Sequence, residues 1–447
     1  MYRIMVEQLP VSCPEIHRWC LDYPIKGGDV SPADLQSDGV LFQGWVLPSH
    51  PAAVSPFVRT DGKTLYFDLN VERPDVIKRV LALEPAGHPL LNCGFRLRVP
   101  LNAQDAVFGF RIGSHDFDYA RLTVVGREEL KVMEGLDGWL FLDNDTNRSV
   151  EQFTGELLLD RSGRKGWSAY LNGLARVASD LNARHAVLIA PAKEMVLPQY
   201  YPHEKGALTP VEQVLMLAKQ EHQLVYPVPS FQASGERTVL MMDSHWTLYG
   251  AMLAVLDTVG RLGIDKDQVQ ALFAEDLYRE REIGGDLGNK FYPRRTSREK
   301  ILVSYNYIKC IVYDNHLPNL GRVQSIENKS ALFNCKCVLF GSSSGYSTLH
   351  FFSRIFSRVI FVHSAGNVDT CLLSRESPEY IVAQTNGRFV IVPPVVGYDL
   401  SRAISEKLTV LSDAQRSETL EKAGNWLKGN DQSQAGYYHA MLQSGAR

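Results

Sequence analysis

The sequence predicts an antiparallel β-sandwich followed by an α/β domain with a mainly parallel sheet. Three observations point there. Up to Val125 the chain is a series of short β-like runs broken by turn residues. From Ser168 onward, helical apolar spacing alternates with continuous apolar runs of the buried-strand kind. A chain of 447 residues is also too long for one ordinary core, so more than one domain is expected.

Taken in order, the β-like runs are Val40–Leu47, Thr64–Val71, Phe95–Val99, Val107–Ile112 and Ala120–Val125. Asp61-Gly62, Arg73-Pro74 and Gly113-Ser114 separate several of them as turns, the pattern of an antiparallel sandwich. A short helical stretch is expected around Asp75 to Leu83, and Trp45 and Phe95 read as core residues. Ser168–Leu181 then repeats Leu171, Leu174, Val177 and Leu181 at helical spacing, and Ala186–Ala190 follows as a buried strand. Thr209-Pro-Val-Glu212 is a capping box with proline at the first helical position. Leu224–Tyr226, Cys337–Phe340, Val359–Val362 and Tyr380–Ala383 are further strands, giving the alternation of an α/β sheet. Asp265–Asn334 reads as a long insertion shaping a site, and residues beyond Asp413 as a polar helix with a flexible end. The expected divisions are 1–127 for the sandwich, 128–412 for the α/β domain and 413–447 for the tail.

A formal charge of −3 and no long Lys/Arg cluster give no footprint for nucleic acid. No apolar run is long enough to span a bilayer, and the N-terminus lacks a signal-like apolar stretch before Pro10. Seven cysteines without C-x-x-C spacing argue against a zinc site and a disulfide framework. The expectation is a cytoplasmic chain with reduced thiols, or a periplasmic one if a leader has been removed.

Two stretches carry the chemistry. Met241–Gly250 places Asp243 two residues before His245, at the mouth of an apolar helix; Leu339–Gly345 places Ser343 on a glycine turn after a strand. A serine needs a base to take its proton and a carboxylate to orient that base, and these stretches supply all three. The competing structural reading makes Asp243 or Ser244 a helix cap and the serine run a capping turn. Ser342, Ser344 and Ser347 are rival nucleophiles; His350 and His363 are rival bases. Asp243 and His245 as metal ligands lack a further His-rich cluster within sequence reach, so no metal is expected. For the oxyanion, the Ser343 amide is the first donor, with Gly341 permitting the turn. Gly285, Asn289 or Asn367 are candidates for the second donor, and Lys193 for meeting an anionic sugar or acyl donor.

These residues resemble the SGNH-hydrolase-like domain of the alginate O-acetyltransferase family. Gly135–Leu142 is similar to its Gly-x-Asp/Glu-Gly-Trp-Leu-Phe segment, and Ile189–Glu194 to its Pro-x-Lys block. Asp243-Ser-His-Trp-Thr-x-x-Gly250 resembles its acid–base block, Gly285–Gly288 its Gly-Asp-Leu segment and Phe340–Ser344 its nucleophile turn. Ser377–Val382 resembles its late strand. The resemblance implies a flavodoxin-like SGNH fold and a triad of Ser343, His245 and Asp243. It also implies O-acetyl transfer or acetylester hydrolysis on a bacterial polysaccharide through an acyl-serine. No bound cofactor is implied; the acyl donor is a co-substrate from an unknown carrier, with a membrane-bound acyl-transfer partner left open. The chain departs from the pattern at Ser342, where the family has Asp or Thr, and at Ala383–Arg388, where it more often has Glu-x-x-x-Arg. More weakly, Gln43–Leu47, Asn70–Val76 and Gly94-Phe95 resemble β-sandwich modules of bacterial glycan-modifying proteins. The alternative is a non-catalytic glycan-binding or scaffold protein on a decayed SGNH fold.

Overall fold

The structure, a computed structural model, describes every residue except 1, 12, 25–27, 50–52, 102–104, 127–130, 144, 292–293, 429–431 and 446–447. The expected boundary between 127 and 128 falls outside the described residues. The chain forms two compact units: Met1–Glu129 with Gly288–Thr296, and Leu130–Leu287 with Ser297–Arg447. That nine-residue return of the chain into the first unit has no local signature, because membership of a core is a long-range property.

The first unit holds two antiparallel sheets. In the larger, the order is Gly28–Val30, Tyr2–Gln8, His115–Gly126, Asp105–Ile112, Val54–Thr60 and Lys63–Tyr66; in the smaller it is Ile16–Tyr23, Val40–Pro48 and Gly94–Val99. Ile4, Phe108, Phe110 and Leu122 from the larger sheet share one buried cluster with Val40, Phe42, Val46 and Phe95 from the smaller. Alternation along each strand explains this: every second side chain faces inward. Phe95 is core, as read from the sequence; Trp45 packs instead on a separate cluster of Leu47, Val76, Ile77 and Cys93.

The second unit is built on a seven-stranded sheet, with strands numbered in chain order. They are β1 (Arg184–Ala190), β2 (Leu224–Val225), β3 (Ile311–Asp314), β4 (Val323–Glu327), β5 (Phe333–Gly341), β6 (Phe356–His363) and β7 (Tyr380–Asn386). The spatial order is β2-β1-β7-β5-β6-β4-β3. Strands β2, β1, β7, β5 and β6 run parallel, while β4 and β3 join antiparallel at one edge. Both faces are covered. Leu188, Leu339, Phe361 and Val382 fall in one buried cluster, and Ile189, Phe340, Val362 and Ile381 in another. A sheet buried on both sides needs continuous apolar runs, which is why these strands were legible.

Among the helices packed on these two clusters are α1 (Arg161–Asp180), α2 (Leu248–Arg261), α3 (Gly345–Ile355), α4 (Leu400–Thr409) and α5 (Gln432–Gly445). Helix α2 starts where Thr247 accepts the Gly250 amide, and it buries Ala251, Ala254, Val255 and Val259 on one cluster. Helix α1 starts at Asp160, earlier than the periodicity from Ser168 suggested, and buries Trp167, Leu171 and Leu174 on the opposite cluster. Each valine or leucine among them, fully withdrawn from water, contributes roughly 1.5–3 kcal/mol before entropy is counted.

Two expectations are corrected. The stretch Asp265–Asn334 is not simply an insertion: it supplies β3 and β4 of the main sheet, a helix Lys266–Ala274 and a hairpin of Tyr278–Ile283 with Ser297–Leu302. The polar helix expected in the tail is followed by a second one, Gln432–Gly445. Helix α5 sends Tyr438 and Leu442 into the second cluster, beside Ile404 and Leu408 of α4.

Register then sets the site. Ala190 pairs with Asn386, Phe340 with Ala383 and Gly341 with His363, so β1, β7, β5 and β6 all end at one edge. The turns leaving that edge are where open α/β sheets place their ligands.

Candidate active site

The buried run Cys337–Phe340 carries β5 to Gly341, and α3 begins four residues later. A Cβ at Gly341 would lie 2.6 Å from the Phe361 ring, so only glycine fits between the two strands there. Ser342 turns inward. Its amide and hydroxyl lie 2.8 and 2.9 Å from Gln384 Oε1, and the hydroxyl is 3.0 Å from Asn386 Oδ1. Ser344 is also buried, and Ser347 is engaged by the Ser344 carbonyl and the Trp246 indole N–H. Ser343 is half-buried, and its amide has no hydrogen-bond partner among the described residues.

His245 faces that serine. Its Nε2 is 2.9 Å from Ser343 Oγ and its Nδ1 2.7 Å from Asp243 Oδ1, which also accepts the His245 amide at 2.9 Å. The other Asp243 oxygen accepts the Asp286 amide at 2.9 Å. Burial opposes the charged form of Asp243, but the His245 hydrogen bond and charge, with the two backbone amides, outweigh it and hold the carboxyl at about 2. The cap of α2 is Thr247, so neither Asp243 nor Ser244 serves as that cap.

The loop bearing these groups is pinned at successive peptides. The Met241 amide donates to Glu299, the Leu140 amide to the Met241 carbonyl, and the Leu287 amide to the Met242 carbonyl. Ser244 donates from its amide to Asp286 at 2.7 Å and from its hydroxyl to the same carboxylate. A backbone with its polar groups satisfied in this way has little freedom to move the imidazole.

The remaining sequence candidates separate. Gly285, at φ +60°, packs directly on Asp243. Asn367 donates from its side-chain amide to the Ser364 carbonyl and accepts the Val395 amide at its oxygen, bracing its turn. Asn289 belongs to Gly288–Thr296, which groups with the first unit. Lys193 is nearly enclosed: it is 4% exposed and donates to the carbonyls of Leu140 at 2.7 Å and Met241 at 3.2 Å. His363 bonds the Tyr346 hydroxyl, and burial with nearby Arg322 and Lys407 pushes it down to about 4. His350 packs edge-on against Tyr307. Asp243, His245 and Asp286 each bring a ligand atom within 4.8 Å of the others, but both Asp243 oxygens are already taken by N–H donors. Asp286, Gln384 and Asn386 were not foreseen. The period-2 spacing of Gln384 and Asn386 on an apolar strand was the available signal.

No helix among the described residues is long and apolar enough to cross a membrane. No protein-family model and no curated protein matches the chain. Similar solved structures include the O-acetyltransferase domain of Pseudomonas putida AlgJ, 14% identical over 63% of this chain and 100% of that one, with a TM-score of 0.38. Bacillus cereus PatB1 is 11% identical over 61% of this chain and 99% of that one, with a TM-score of 0.44. Pseudomonas aeruginosa AlgX is 12% identical over 60% and 62%, with a TM-score of 0.32. Likenesses this distant carry no argument about chemistry, which rests on the site itself.

Proposed function

We propose that the chain is a serine-dependent O-acyltransferase or acetylesterase of the SGNH type, acting on a carbohydrate through an acyl-serine, with the first unit a β-sandwich accessory module. The observation that carries this reading is the continuous relay from Ser343 Oγ through His245 to Asp243, at 2.9 and 2.7 Å. Ser343 Oγ attacks the carbonyl carbon of an acyl ester while His245 Nε2 takes its proton. The Ser343 amide donates to the oxyanion. Collapse breaks the ester bond, His245 returns the proton to the leaving oxygen, and the acyl group stays on Ser343. An acceptor hydroxyl, of a sugar or of water, then gives its proton to His245 and attacks the acyl carbon; the acyl–Oγ bond breaks, His245 returns the proton to Ser343 Oγ, and the acylated acceptor leaves. Asp243 fixes the imidazole tautomer and stabilises the imidazolium. The carbohydrate acceptor is supported by the motif resemblance alone.

The test is hydrolysis of p-nitrophenyl acetate and labelling by a serine-directed fluorophosphonate, in the parent, Ser343→Ala and His245→Ala. Loss of turnover in both variants with unchanged thermal unfolding supports the reading, and a sugar product in the presence of acceptor defines transfer. A parent that neither turns over nor labels sinks it in favour of a scaffold.

A further inference from the structure

Lys193 is a buried cation whose bonds the proposed relay does not use. It sits on the short turn Lys193–Val196 that follows β1, and it is enclosed by the rings of Trp139 and Phe141, with Nζ 5.7 and 5.5 Å from their centroids. Burying an ammonium costs several kcal/mol unless it is bonded and faced by negative charge. Both conditions are met. Its two bonds go to main-chain carbonyls, and the Met241 carbonyl it holds lies two residues before Asp243. Asp243 on the loop, Asp286 on the turn after Gly285, Glu299 on the hairpin and Glu194 beside it are the charges that face it. Of these, Glu299 already has Arg237 at 2.9 Å.

We infer that Lys193 is a positioning residue for the Asp243–His245 pair, tying the loop to Leu140 and placing a buried positive charge that faces Asp243. The inference rests on the proposed relay. The tether fixes where the Met241 peptide stands, and through the following peptides where Asp243 meets the imidazole. The charge faces Asp243, the carboxylate that the imidazole bonds, so Lys193 bears on the pair through the acid. Burial brings Lys193 down to about 8, against the four carboxylates that raise it, so it is charged at neutral pH and discharges as pH rises through that value.

The experiment compares full-length parent with Lys193→Met and Lys193→Gln, the second keeping an N–H donor without the charge. In p-nitrophenyl acetate hydrolysis, Lys193→Met is expected to lower kcat at least tenfold with KM little changed, and Lys193→Gln to lower it less. A kcat loss in Lys193→Gln smaller than in Lys193→Met separates the tether from the charge. A second readout needs no turnover: in a Ser343→Ala background, NMR follows the His245 Nδ1 proton on Asp243. In the Lys193-containing protein that signal is expected to move as pH passes through about 8, and to lose the step in either variant. An unchanged kcat in Lys193→Met and a signal indifferent to both pH and substitution overturn the inference. Absent hydrolysis in the parent, with the NMR step intact, tells instead against the proposed function.

Discussion

Gly285 stands so close to Asp243 that a Cβ at 285 would lie 2.5 Å from the Asp243 Cβ and 2.7 Å from its Oδ2. The contact lets the following amide, that of Asp286, reach the carboxylate at 2.9 Å. With φ at +60°, the position also lies in the left-handed region that favours glycine. A glycine that looked like a turn residue is therefore part of how the acid is held.

Gly285→Ala should displace Asp243 and cost about 1–3 kcal/mol in stability from the clash, with added strain from the backbone. Urea unfolding and ester hydrolysis, measured on the same preparation, should fall together. Full activity in this variant would mean that the acid is held by something else.

Asp243→Asn should lower turnover by about a hundred- to ten-thousand-fold, because the amide no longer selects the tautomer with Nε2 free to accept. Stability should change with pH in a set direction. The folded carboxyl, at about 2, lies below its ordinary 3.8, so its contribution is complete above about 4 and is lost as pH falls toward 2. The group is only 16% exposed, so the parent should exceed the variant by roughly 2 kcal/mol at pH 7, narrowing as the pH drops below 4. Chemical denaturation at pH 7 and at pH 3 checks the sign.

Gln384→Met keeps the volume of a fully buried side chain but removes the acceptor for the Ser342 amide and hydroxyl. Leaving that amide unsatisfied should cost about 1–3 kcal/mol. Because Ser342 precedes Ser343, fluorophosphonate labelling should slow as well. A loss of stability with no change in labelling would show that the turn keeps its shape without this brace.

Tyr438→Phe should destabilise the second unit by about 1–3 kcal/mol, since the phenol donates at 2.7 Å to the buried Glu376 carboxylate. Hydrolysis per folded molecule should be unchanged, because this contact lies on the cluster shared by α4 and α5 and touches none of the groups of the proposed relay. A thermal melt reads the first effect and steady-state kinetics the second.

What could be read ahead of the fold was what short-range chemistry writes. The runs at Ala186–Ala190 and Cys337–Phe340 announced buried strands because both faces are covered. Asp243, His245 and Ser343 were legible because each sits in a stretch whose residue types already suggest a role. Strands β3 and β4 were missed because Ile311–Asp314 and Val323–Glu327 are short and carry polar residues at an edge. Helix α5 was missed because its Gly, Ser and Gln content hides Ala435, Tyr438 and Leu442 at helical spacing.

The order of residues thus determined the strand runs, the Thr209 capping box and the three side chains of the proposed relay. Their meeting was decided only by the fold. Sheet order places β7 between β1 and β5, and that alone sets Gln384 and Asn386 under the serine turn. The direction of Lys193, inward to two carbonyls and not outward to a ligand, was likewise decided by what surrounds it. A side chain's type is local, but its partner, its burial and its charge depend on residues far away in the chain.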